Sequence, residues 1–167
     1  MDFKSKKLRW CLKQRKGIKL VKPSDNLCRA FFSKAKLALK STIVNAKAGL
    51  IDWAISASYY AKYFSVYAIL SKIGIKSEIH DCTLEVFNFL FSEKIKQELI
   101  EDIITSKEER IEAQYYTQVK TIKDLNKLIE NTRSFINELE ELAENISEED
   151  IESMRGKLLI FKKHKQT

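Results

Sequence analysis

Glycine and proline are scarce in this 167-residue sequence, with four of the first and one of the second. All-β folds need a turn every dozen residues or fewer, so the scarcity excludes them and leaves long helices joined by short loops. Disorder is excluded by a 44% hydrophobic content, enough to bury a core. The cysteines, Cys11, Cys28 and Cys82, are an odd number with no close pair. That pattern argues against a disulfide framework and against a C-x-x-C zinc or redox site, and predicts a reducing, cytoplasmic setting. His80 and His164 are the only histidines, too few for a multi-histidine metal centre, so no metal and no cofactor is expected. Glycine-rich phosphate loops, a G-x-S-x-G elbow, H-E-x-x-H and the E-x-x-H pairs of di-iron bundles are all missing. Nine Lys and Arg within residues 1–22, with no apolar run, argue against a secretory signal. The one stretch resembling a membrane span, Trp53 to Ser71, has Lys62 at its middle and four serines. A charge at the bilayer centre costs at least about 2.5 kcal/mol, so this stretch reads as the central helix of a soluble bundle.

What is present is charge, unevenly spread. The net +7 is the difference between a +12 head (residues 1–50), a nearly neutral middle (51–91), a −9 segment (92–153) and a +5 tail (154–167). Such polarity serves either as solvated helix faces that attract one another or as a basic surface following a nucleic-acid backbone. Lys4, Lys6, Lys7, Arg9, Arg15 and Lys16 are the candidate phosphate contacts in the head.

Apolar periodicity sets the helices. Residues 1–22 lack a sustained period and read as a basic arm. Pro23-Ser24-Asp25 is a helix start, followed by Cys28, Phe31/Phe32, Ala35, Leu39, Ile43 and Ala46 at three- and four-residue steps. Gly49 and Gly74 bracket a second helix with an aromatic face (Trp53, Tyr60, Phe64, Tyr67) expected to fill the core and an alanine stripe (Ala54, Ala57, Ala61, Ala68). Ser77 is placed to cap a third helix. A fourth, from about Glu93, carries Ile95, Leu99 and Ile103, and the same stripe then turns polar at Ser106 and Arg110. Thr121 and Asp124 open a fifth with the cleanest apolar stripe, from Ile122 to Ala143. Ser147 and Asp150 cap a short last turn before the basic tail. The expectation is an all-α, up-and-down bundle over residues 23–146, flanked by the basic arm (1–22) and by a short helix and basic tail (147–167).

Candidate chemistry rests on His80, Arg110, Tyr115 and Tyr116. An inward arginine binds phosphate or carboxylate, a histidine at a helix start serves as cap or as acid–base group, and tyrosines pack or stack on bases.

The run Trp53-Ala54-Ile55-Ser56-Ala57-Ser58-Tyr59-Tyr60-Ala61-Lys62-Tyr63-Phe64, followed by Gly74, Ser77 and His80, and the later Arg110-Ile111-Glu112-Ala113-Gln114-Tyr115, resembles the HEPN family (higher eukaryote and prokaryote nucleotide-binding domain) in its small prokaryotic branch. The resemblance covers about residues 24–143. It implies a dimeric helical bundle, often paired with a small nucleotidyltransferase in a toxin–antitoxin module, whose catalytic members are metal-independent RNases. Those members use an arginine followed four to six residues later by a histidine. Here Tyr115 or Tyr116 stands at the histidine position, while His80 lies upstream and can reach Arg110 only through the fold. Two readings stay open: a nucleotide- or RNA-interacting protein of a toxin–antitoxin or defence module with a degenerate RNase motif, or a non-catalytic dimeric module that partners a nucleotidyltransferase.

Overall fold

The structure, a computed structural model, describes residues 3–116 and 125–163, with side chains from Lys6 onward. In chain order the elements are α1 (Phe3–Lys13), β1 (Lys19–Leu20), α2 (Asp25–Lys47), α3 (Ile51–Lys72), β2 (Ile75–Lys76), α4 (His80–Phe91), α5 (Gln97–Tyr115), α6 (Leu125–Asn145) and α7 (Glu148–Lys163). The two strands pair antiparallel, Lys19 opposite Lys76 and Leu20 opposite Ile75. All else of regular structure among the described residues is helix, and the chain is an all-α bundle.

Local signals place several helix ends. Ser24 Oγ accepts the Leu27 amide at 3.2 Å and opens α2, whose Cys28, Phe32, Ala35, Thr42 and Ala46 turn inward. Gly49 and Gly74 both adopt positive φ, at 74° and 71°, on either side of α3. α3 is the hub: it packs on α2, α4, α5 and α6, and Ala54, Ala61 and Ala68 have no exposed surface. Phe31 of α2 packs against Tyr67 with ring centroids 4.6 Å apart. The expected aromatic face is only partly right. Trp53, in the first turn of α3 beyond the tight α2–α3 connection, is 61% exposed, and the rings that α3 buries are Tyr59 and Tyr63.

The polar second half of α5 finds its explanation in packing. Asp102, Ser106, Arg110 and Gln114 lie at four-residue steps on one stripe, and α3 meets them with polar groups of its own. Lys62 Nζ donates to Asp102 Oδ1 at 2.8 Å and to Ser106 Oγ at 2.9 Å. Arg110 Nη1 donates to the Tyr60 hydroxyl at 3.4 Å, and Gln114 Nε2 to Ser56 Oγ at 2.8 Å. Lys62 itself is 2% exposed, and its ammonium also lies 5.9 Å from the Phe135 ring centroid. A buried charge is tolerated only when paired in this way. On α6, Thr132 adds a buried hydroxyl pair with Ser58 at 2.7 Å.

Several expectations are corrected. Residues 3–13 are helical rather than an irregular arm: Leu8 and Cys11 are buried, and Cys11 is disulfide-bonded to Cys82 of α4 across 71 residues. Sequence spacing argued against a disulfide because the partners become neighbours only when α1 docks on α4. Cys28 is the free, buried cysteine. Ser77 does not cap α4 directly; its Oγ accepts the Ile79 amide, and the helix begins at His80 with no side-chain cap. α5 starts at Gln97, four residues later than expected from Glu93, since a turn over residues 92–94 intervenes. Ser147 and Asp150 do form a reciprocal cap, with amide-to-side-chain bonds of 3.1 Å each way. The helix they open is no short turn, however: α7 runs through Gly156 for 16 residues and buries Ile151, Met154 and Leu158. Thr121, Asp124 and His164 lie outside the described residues.

Candidate functional site

Three helices bring polar and aromatic groups together around the start of α4. Gly74 stops α3, the short β2 pairs with β1, and the chain re-enters a helix at His80, which faces the middle of α3. There the i, i+1, i+4 spacing of Tyr59, Tyr60 and Tyr63 surrounds the imidazole. Its ring stacks on Tyr63 with centroids 4.1 Å apart and an interplanar angle of 7°. Its Nδ1 is hydrogen-bonded to the Tyr59 hydroxyl at 2.8 Å, and Tyr60 meets it edge-on at 6.2 Å. With Nδ1 so engaged, Nε2 is the nitrogen open to a ligand.

α5 supplies the cations. The Arg110 guanidinium lies 5.4 Å from the Tyr59 centroid and 5.7 Å from that of Tyr60, and its Nε is buried with no hydrogen-bond partner among the described residues. Lys107, one turn earlier, pairs with Asp81. Asp81 also lies 4.0 Å from Lys7 of α1. The site is thus a layered cluster: tyrosines beneath, His80 and Arg110 upon them, and the Lys107–Asp81–Lys7 chain alongside.

Electrostatics fix the protonation states. Burial first, then the charges of Arg110 and Lys107, hold His80 below its ordinary 6.5 against the opposing pull of Asp81, so the ring is neutral at pH 7. Burial alone would raise Asp81, but the Lys107 hydrogen bond and the charges of Lys107 and Lys7 outweigh it and keep the carboxylate ionised. Burial pushes Tyr63 up to about 12 and Tyr59 further, so both stay phenols.

Of the residues expected from sequence, the fold unites Arg110 and His80 over shared tyrosines. It does not add Tyr115 and Tyr116, which are 74% and 65% exposed at the end of α5. No described contact joins their side chains to Arg110 or His80. Among the basic head residues, Lys7 reaches Asp81, Arg9 lies over the Phe161 ring, and Lys6, Arg15 and Lys16 are exposed. The Lys4 side chain lies outside the described residues. Tyr59, Tyr63 and Lys107 are site residues that sequence reasoning missed. The doubled tyrosine one helical turn before a third, and a lysine three residues ahead of Arg110, were the available signals.

Fold and cluster together define a helical-bundle protein whose cationic, tyrosine-floored site is assembled from three helices. A family model for the HEPN domain matches residues 28–142, well over half of the chain, and the chain belongs to that family. No curated protein and no solved structure matches it. The matched region runs from the first turn of α2 into α6 and contains His80 and Arg110, while α1, β1 and all of α7 lie outside it. Among the described residues no helix is long and apolar enough to cross a membrane.

Proposed function

We propose that this HEPN-domain protein binds RNA through a phosphate at Arg110 and cleaves it without a metal, as a component of a prokaryotic toxin–antitoxin or defence module. The observation that carries the reading is the convergence of Arg110, whose buried Nε–H has no partner among the described residues, and the neutral His80 on one tyrosine floor. A guanidinium neutralises charge developing on a phosphate, and a neutral imidazole accepts a proton. The step is an attack of the 2′-oxygen on phosphorus: His80 takes the 2′-hydroxyl proton, the P–O2′ bond forms as the P–O5′ bond breaks, and the leaving 5′-oxygen takes a proton from water, after which His80 returns its own to solvent. The product carries a 2′,3′-cyclic phosphate. The proposal includes a dimer, supported by exposed Leu37, Val44, Leu50 and Trp53 along the α2–α3 hairpin, apolar side chains suited to a second copy.

A second reading has its own support. Tyr115 and Tyr116, exposed where a catalytic histidine is expected, favour a non-catalytic module that docks a small nucleotidyltransferase, with Arg110 retained to hold a nucleotide phosphate. Incubation of end-labelled RNA with protein in excess EDTA decides between them. Cleavage that yields cyclic phosphate ends and is lost in Arg110→Ala and His80→Ala, both still folded, supports the enzyme. Cleavage that survives Arg110→Ala overturns the site assignment, and absence of RNA binding even at low salt overturns the RNA reading.

A further inference from the structure

The two segments outside the family match meet in space. Arg9 of α1 lies 5.5 Å from the Phe161 ring of α7, and Leu12 and Leu158 line a shared groove of about 380 Å³ that has Lys19 and Lys162 among its walls. The start of the basic head and the basic tail, joined at Arg9 and Phe161, 152 residues apart in sequence, therefore form one surface. Helix geometry orders it. With Leu8 and Cys11 buried, Arg9 points towards α7, Lys7 towards Asp81, and the outward arc between them carries Lys6, Trp10 and Lys13 at four- and three-residue spacing. Trp10 is 50% exposed, the large aromatic ring on that arc. Among the described residues Lys6, Lys13, Lys162 and Lys163 have no acidic partner, whereas Lys36, Lys72 and Lys94 elsewhere are paired.

From this we infer that α1 and the end of α7 form a track for single-stranded RNA leading away from the Arg110–His80 site, with Trp10 as the platform on which an unpaired base stacks. The inference rests on the RNA reading above. A single strand needs both parts of this surface: cations spaced along its backbone and a ring for its base. Duplex RNA hides the base faces that Trp10 would take. An anionic membrane fits less well, because the apolar face of α1, which insertion requires, is spent on the core and tied there by the Cys11–Cys82 bond. That bond also holds the track rigidly against α4, the helix that bears His80.

The test uses the full chain in non-reducing buffer with an unstructured oligouridylate of about 15 nucleotides, a dinucleotide, a duplex of the same length and vesicles rich in anionic lipid. Oligonucleotide binding quenches tryptophan emission, and Trp10→Phe removes most of that quench. Trp10→Ala weakens the oligonucleotide roughly 5- to 150-fold, the range of one base–aromatic stack. It leaves the dinucleotide, which fills only the Arg110 site, unchanged. Trp10 is exposed, so the variant folds, and an unaltered circular dichroism spectrum checks it. Unchanged oligonucleotide affinity in Trp10→Ala, equal binding of the duplex, or an equal quench by vesicles overturns the track. Dinucleotide binding that survives Arg110→Ala overturns instead the reading of the site, and leaves the track standing if the Trp10 effects persist.

Discussion

His80 titrates against its surroundings, and the consequence is measurable. The unfolded chain takes up a proton near 6.5, while the folded chain resists it because burial, Arg110 and Lys107 disfavour imidazolium. The contribution is therefore fully present above pH 6.5 and declines as pH falls from there towards the lowered folded value, below which the loss is complete. Urea denaturation midpoints should fall as the pH is lowered through 6.5, and His80→Gln, neutral throughout, should remove that component. Asp81, held low by Lys107 and Lys7, contributes in a separate window below its ordinary 3.8. Lys62 offers a second test at this scale. Asp102→Ala strands a buried ammonium with Ser106 as its remaining hydrogen-bond partner among the described residues, so a loss of about 3 kcal/mol is expected in denaturant unfolding. Lys62→Met keeps the stem's packing and leaves Asp102, whose side chain is 34% exposed, to water; its cost should be clearly smaller. Sequence marked Lys62 as an oddity in an apolar helix, but its partner is 40 residues away and no local pattern names it. His80 and Arg110 were both picked out from sequence, whereas their meeting was not, because it depends on where α4 lands on α3.

Among the elements, the turn after α3 has the least latitude. Arg155 of α7 sends Nη1 to the carbonyls of Val21, Ile73 and Gly74 at 2.8–3.0 Å, tying the end of α3, the β1–α2 connection and α7 together. A Cβ on Gly74 would strike Arg155 Nη1, Val21 O and Pro23 N, whereas one on Gly49 meets nothing within 4 Å. Both glycines have positive φ, so alanine at either costs about 1–2 kcal/mol in backbone strain. Gly74→Ala should cost well beyond that in thermal unfolding and Gly49→Ala no more than that; equal losses would show that the turn after α3 is not crowded. Sequence placed both glycines at the ends of this helix correctly. It could not tell the crowded one from the open one, since the crowding comes from Val21 and Pro23, about 50 residues earlier, and from Arg155 of α7, more than 80 residues on. The polar half of α5 shows the same limit. Its four-residue stripe was visible, but the reason for it, a facing set of polar groups on α3, is a property of the packed pair.

For the whole molecule, the Cys11–Cys82 bond closes a loop of 71 residues. Constraint of the unfolded chain by such a loop is worth about 4 kcal/mol on the chain-entropy model. Reduction with a strong dithiol, or Cys82→Ser, should lower the unfolding free energy by up to that amount and loosen α1, read as faster amide exchange in residues 3–13. A protein whose stability is indifferent to reduction would show that the bond contributes nothing to holding α1. RNA affinity, if set by the merged basic surface, should fall steeply with salt, with a slope that shrinks by about one per lysine removed from it. The sequence by itself determined the helices α2 to α6, most of their inward faces, the Gly49 and Gly74 stops and the family resemblance, because these depend on local propensity and on residues three or four apart. Tertiary structure alone decided that α1 is tied to α4, that the head and tail share one surface, that Lys62 finds Asp102, and that His80 and Arg110 lie on the same tyrosines. Each of these joins residues brought together only when several helices pack at once, and the burial that drives that packing has no counterpart in any short stretch of sequence.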